Sequence, residues 1–138
     1  MTIRDYLDSD YEDVRNNLEE GKLFDPVVDT REKFLRKVTK NHGSIIVAEE
    51  NSQAIGNVFT VDDGWAAFIF RLAVHSSYRG QGIGALLMNE AERRLREKGC
   101  EEVSIFVNDA NERLKEYYKR QRFISTGSYR FMYKPLKL

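Results

Sequence analysis

The sequence predicts a mixed α/β domain, and three observations carry that expectation. Apolar residues near the amino end recur at helical steps, the middle holds three β-branched and apolar runs between short polar turns, and the second half alternates strands with helices. The expected architecture is a mixed sheet, an antiparallel meander plus one parallel strand–helix–strand crossover, flanked by helices.

Residues 1–4 read as a short edge strand. Asp8 or Ser9 can cap a helix on which Leu7, Tyr11, Val14 and Leu18 recur at steps of three and four, and Gly21 can end it. Residues 22–28 form a loop with Leu23, Phe24, Pro26 and Val27 in it. Asp29, with Glu32 three residues on, resembles a capping box that opens a helix carrying Phe34, Leu35 and Val38. The period then changes to that of strands, over 44–49, 54–61 and 65–74, with polar turns at 50–53 and 62–64. The third strand is apolar except for Arg71, so it is expected at the centre of the sheet with both faces covered.

The clearest helix spans 82–98, with Ile83, Leu86, Leu87, Ala91 and Leu95 as its buried stripe, Glu90–Arg94 and Glu92–Arg96 as favourable pairs, and Gly99 as its stop. A strand is expected over 102–107, a helix from Asn111 to about Gln121, and a hairpin over 123–136 that splits at 126–128 and alternates Tyr129, Phe131 and Tyr133.

A chain of 138 residues, 41% hydrophobic and 32% charged, fits one globular domain spanning residues 1–138. It holds no apolar run of the ~20 residues a membrane-spanning helix needs, and residues 1–6 lack the apolar core of a secretory signal, so the expected address is the cytoplasm with no membrane partner. Twenty-two basic and twenty-two acidic side chains cancel, which leaves no global field for nucleic acid. Cys100 is the only cysteine and cannot form an internal disulfide; it reads as packing material. His42 and His75 lie far apart, so no metal site is expected.

The informative stretch runs from Leu72 to Gly84. Three alternating glycines, Gly80, Gly82 and Gly84, stand between a buried strand and a strong helix, with Arg79 at the mouth. Glycine lets the main chain turn tightly, and a helix amino terminus presents unpaired N–H groups with partial positive charge; together they can cradle a pyrophosphate. Ala85 and Leu86 follow Gly84, where a nucleoside-triphosphate loop needs Lys and Ser or Thr. A dinucleotide fingerprint needs a further glycine three residues beyond Gly84 and repeated strand–helix units. Asp109 stands near the place expected for its acid, but the glycine is missing.

Arg79-Gly80-Gln81-Gly82-Ile83-Gly84 resembles the R/Q-x-x-G-x-G/A loop of the GNAT superfamily of N-acetyltransferases, and the lead-in Leu72-Ala73-Val74-His75 is also similar, with Ser76 where a proline is common. Asn111, Tyr117-Tyr118 and Phe123 resemble the family's Asn–Tyr helix, with Leu114 in place of a small residue and Arg122 in place of a glycine. The resemblance covers the whole order of elements. It implies acetyl-coenzyme A as acyl donor, with its pantetheine arm against the backbone of Leu72, Ala73 and Val74 and its pyrophosphate on the amides of Arg79, Gly80, Gln81, Gly82, Ile83 and Gly84. It implies Asn111 as a further cofactor contact and Tyr118 as the general acid for the leaving thiolate, with no metal. A helix cap is the structural alternative for Asn111, and an aromatic of the helix stripe for Tyr118.

The acceptor implied is an amine of a small molecule or a protein, lined by the loop around Leu23 to Val27 and by the closing hairpin; Arg71 and Arg130 could meet an acidic one. A homodimer is an expectation by resemblance alone. No general base stands out: Glu49, Glu50 and Asp62 are candidates by topology only. That gap keeps open a catalytically silent acyl-coenzyme A-binding module, and beyond it an interaction domain without a cofactor.

Overall fold

The computed structural model describes residues 1–137, which form two compact units, Met1–Ile105 and Phe106 onward. The first unit contains β1 (Thr2–Asp5), α1 (Tyr11–Glu20), α2 (Arg31–Lys40), β2 (Ile45–Glu50), β3 (Gln53–Asp62), β4 (Ala67–Val74) and α3 (Ile83–Glu97); the second contains α4 (Glu112–Arg120). The four strands make one antiparallel sheet in the order β1-β2-β3-β4. This is the expected α/β meander flanked by helices.

Side-chain alternation in β3 divides the core between two helix layers. On one face Phe59 joins Tyr11, Val14 and Leu18 of α1 and Phe34 of α2. The Phe34 ring packs edge-on against Phe59 at 5.1 Å between centroids, and against Tyr6 at 5.9 Å. On the other face α3 lies so close that a Cβ on Gly56 would stand 3.1 Å from Leu87 Cδ1 and 3.3 Å from the Ala73 carbonyl oxygen. Ile83, Leu87, Met88, Ala91 and Leu95 are the buried stripe of α3. Gly99 ends that helix with φ of +90°, and the Cys100 amide returns to the Leu95 carbonyl at 3.0 Å.

Several local expectations are corrected. Leu7 is exposed, and the first turn is held by Asp10, which accepts from the Leu7 amide at 2.8 Å and pairs with Arg4. Thr30, not Asp29, caps α2 by accepting from the Lys33 amide. Leu35 and Leu86 face solvent. β4 borders the sheet, and β3 is its most buried strand. The strand expected over 102–107 is reduced to one parallel bridge, Phe68 with Ser104, in which the Ile69 amide donates to the Ser104 carbonyl at 3.1 Å. Of the parallel crossover expected here, the structure shows this one bridge and no longer ladder among the described residues.

Residues 123–136 form no strand, and Tyr129, Phe131 and Tyr133 are exposed. Alternation becomes a strand only where an edge supplies ladder hydrogen bonds, and within this segment there is none.

Candidate active site

β4 runs through His75 into a 3-10 turn, Ser76–Tyr78, then Arg79 to Gly82, and so into α3. The turn is fastened at both ends. His75 Nδ1 accepts from the Ser77 amide at 3.1 Å, and the Tyr78 amide donates to the His75 carbonyl at 2.9 Å. Glu20, the last residue of α1, accepts from the Ser76 amide at 3.3 Å and the Ser76 hydroxyl at 2.6 Å. Those two bonds hold the Glu20 carboxyl below its ordinary range.

Gly80 and Gly82 both adopt left-handed conformations, with φ of +77° and +80°, and a Cβ on either would meet nothing within 4 Å. The surroundings leave room for a side chain at both positions, so it is the left-handed backbone that favours glycine there. Gly82 is the N-cap of α3, and no side chain caps the first-turn amides. Ile83 is buried and anchors the turn to the core, and Gly84 lies inside the first turn of α3. Gln81 is exposed. The Arg79 side chain folds back, its Nε donating to the Val74 carbonyl at 2.9 Å.

That bond also shows which way β4 faces. His75 pairs with Ile55 through a 2.7 Å bond from its amide, and Ala73 pairs with Asn57, so the backbone polar groups of Ala73 and His75 point into the sheet. Those of Leu72 and Val74 point outward. Of the three residues expected along a bound arm, Leu72, Ala73 and Val74, the structure pairs Ala73 with Asn57 of β3.

Of the residues expected to greet or activate an acceptor, Arg130 is exposed, and Arg71, Glu49, Glu50 and Asp62 are otherwise engaged. Arg71 is ion-paired with the buried Asp29 at 3.1 Å. Glu49 holds Arg4 at 2.7 Å, Glu50 the N-terminal amine at 3.3 Å, and Asp62 Lys98 at 3.1 Å. Sequence reasoning missed Asp29, Glu20 and the buried pair Asn17 and Asn57. The one available signal was Asn57, a carboxamide in a strand of mostly apolar residues.

Asn111 and Tyr118 share α4 in the second unit. Asn111 caps that helix, its Oδ1 accepting from the Leu114 amide at 3.0 Å. Tyr118 packs edge-on against Tyr117 at 5.2 Å and Phe123 at 5.6 Å. Burial pushes its phenol up to about 12, so it stays protonated across physiological pH. Arg122 stands where the family pattern has glycine, and its φ of +71° is the left-handed value glycine would take without strain. Among the described residues, no cluster of His, Cys, Asp or Glu could hold a metal, and no helix is long and apolar enough to cross a membrane.

A chain with this sheet and loop matches known proteins along most of its length. The fold superimposes on Ard1 from Thermoplasma volcanium with a TM-score of 0.80 at 23% identity, covering 91% of this chain and 84% of that one. It matches the PaiA N-acetyltransferase of Thermoplasma acidophilum, solved in complex with coenzyme A, with a TM-score of 0.72 at 20% identity over 87% of each chain. For glucosamine-6-phosphate N-acetyltransferase from Arabidopsis thaliana the TM-score is 0.69 at 23% identity, over 99% of this chain and 98% of that one. Residues 3–123 match the model of the acetyltransferase (GNAT) family, and the chain belongs to that family.

Proposed function

We propose that this chain is an N-acetyltransferase that moves an acetyl group from acetyl-coenzyme A to a primary amine of a small molecule or a protein. The observation that carries the reading is the pair of left-handed glycines, Gly80 and Gly82, in open surroundings at the head of α3, where no side chain caps the helix. Unpaired main-chain N–H groups at a helix amino terminus suit a diphosphate. The outward amides of Leu72 and Val74 suit an extended amide-bearing arm laid along the strand.

Acetyl-coenzyme A supplies the acetyl group as a thioester. In the transfer the amine nitrogen bonds to the acetyl carbon and gives up one proton, the carbon–sulfur bond breaks, and the sulfur takes up one proton. An outward main-chain N–H of β4 would donate to the carbonyl oxygen as charge gathers on it. Tyr118 would hold the proton that the sulfur needs. A phenol at about 12 is a poor acid toward a thiolate in water, yet a thiolate formed beside it is desolvated too and its own basicity rises. The match is kept by shared burial. Asn111 Oδ1 is occupied by its helix cap, so only its amide nitrogen remains for the cofactor.

A second reading, a module that binds acyl-coenzyme A without turning it over, is favoured by one observation: Glu49, Glu50 and Asp62 are each committed to an ion pair. Calorimetric titration with acetyl-coenzyme A, followed by thioester consumption against polyamines, amino sugars and peptides with free amino termini, separates the two. Binding with turnover supports the enzyme; binding without turnover on any amine from pH 7 to 9.5 supports the module; no binding defeats both.

A further inference from the structure

Two buried asparagine side chains, one on α1 and one on β3, bond to each other in the core. Asn17 of α1 and Asn57 of β3 are both fully buried. Asn17 Nδ2 donates to Asn57 Oδ1 at 3.1 Å and to the Ala54 carbonyl at 3.0 Å, and Asn57 Nδ2 donates to the carbonyl of Arg71 at 2.9 Å. Burying two carboxamides costs free energy that their hydrogen bonds only offset, and an apolar pair of like shape would serve the core as well. Their presence calls for something a hydrophobic pair could not do.

That something lies at Arg71. Asn57 pairs with Ala73 and Phe59 with Phe70, so the single residue Val58 faces two, Arg71 and Leu72: a bulge. Arg71 takes φ of +58° there, a left-handed value that strains a non-glycine residue. Its carbonyl loses a ladder partner and finds Asn57 instead. Its guanidinium is tied from the other side, with Nε 3.3 Å from Asp29 Oδ1 and Nη2 3.1 Å from Asp29 Oδ2. Asp29 in turn is locked by the Asp25 amide on Oδ2 and by the Tyr11 hydroxyl on its carbonyl. The strained residue is gripped by both main chain and side chain.

The bulge decides which amides β4 turns outward. Continued without it, the register of Phe59 with Phe70 would pair Leu72 with Asn57 and Val74 with Ile55, and would turn Ala73 and His75 out. With it, Leu72 and Val74 face out, as the Arg79 bond to the Val74 carbonyl records. We propose that Asn57, backed by Asn17, is a positioning residue: it holds the Arg71 bulge so that the amides of Leu72 and Val74 meet the acyl donor. This rests on the acetyltransferase reading and adds to it the side chains that set the donor strand's phase.

The test uses the full chain with Asn57→Leu, and Asn57→Ser, which admits a water, in case the first does not fold. Amide exchange by NMR on the wild type should show Ala73 and His75 slow and Leu72 and Val74 fast. In the variant that contrast should collapse or reverse. Acetyl transfer to the best amine found, or to hydroxylamine, should lose about tenfold or more in kcat, because misdirected donors act on the reacting carbonyl. The dissociation constant for acetyl-coenzyme A, dominated by the diphosphate loop, should move by less than about threefold; such a split is not the signature of general destabilisation. An unchanged exchange pattern, or an unchanged kcat in a folded variant, overturns the positioning role while leaving the acetyltransferase reading intact. A wild-type chain that neither binds nor consumes acetyl-coenzyme A overturns both.

Discussion

Replacing Gly82 by alanine separates what the backbone needs at the head of α3 from what a ligand needs there. At φ of +80° an L-residue is strained, and since a Cβ would meet nothing within 4 Å, strain is the only cost in the free protein. That cost is about 1 kcal/mol, which for a chain of this length lowers Tm by about 3 °C. Gly64, in the β3–β4 turn at φ of +87° and equally open, provides a matched control. Gly64→Ala should cost the same stability for the same reason. The two should part company in calorimetry with acetyl-coenzyme A. The Gly82 methyl enters the open space at the head of α3, and affinity should fall at least about tenfold, or 1.4 kcal/mol; the Gly64 methyl should leave it unchanged. Equal affinities in the two variants would refute the diphosphate loop, and an unchanged Tm in both would refute the strain argument.

Other expectations follow from named contacts. Phe34→Ala empties the junction of Tyr6, Tyr11 and Phe59 and should cost about 3–5 kcal/mol in denaturant unfolding, a loss under about 1 kcal/mol being incompatible with that packing. Lys37 is lowered from its usual 10.5 to about 8 by burial, so its penalty on folding is absent above pH 10.5, grows as pH falls, and is complete below pH 8. Lys37→Met should therefore stabilise the protein at pH 7 more than at pH 10.5, by about 1 kcal/mol after solvent screening; a gain that grows with pH would contradict this. Tyr118→Phe should lower kcat by about 10²-fold at any pH between 7 and 9.5, with little change in acetyl-coenzyme A affinity. A full-rate variant would remove Tyr118 from the chemistry.

The parts legible in the sequence were those whose cause is local. The meander over β2 to β4 shows in alternation and turn chemistry, α3 in its apolar stripe, and the turn into α3 in three glycines at a strand–helix junction, because each needs only neighbours along the chain. The misreadings share the opposite property. Asp29 looks like a helix cap in sequence, and only the fold reveals that it is buried against Arg71, 42 residues away. Residues 102–107 and 123–136 carry strand patterns but owe any ladder to an edge elsewhere. Asn57 is the most instructive case. A carboxamide among mostly apolar strand residues reads as a defect until its partners are known, yet its bond to the Arg71 carbonyl accounts for a register shift that no periodicity could reveal. Shifting the register by one residue exchanges every outward group of the strand, so one carboxamide in the core decides which main-chain donors face the acyl donor's side. For a site made largely of backbone, the identity of the machinery lies in the residues that aim it.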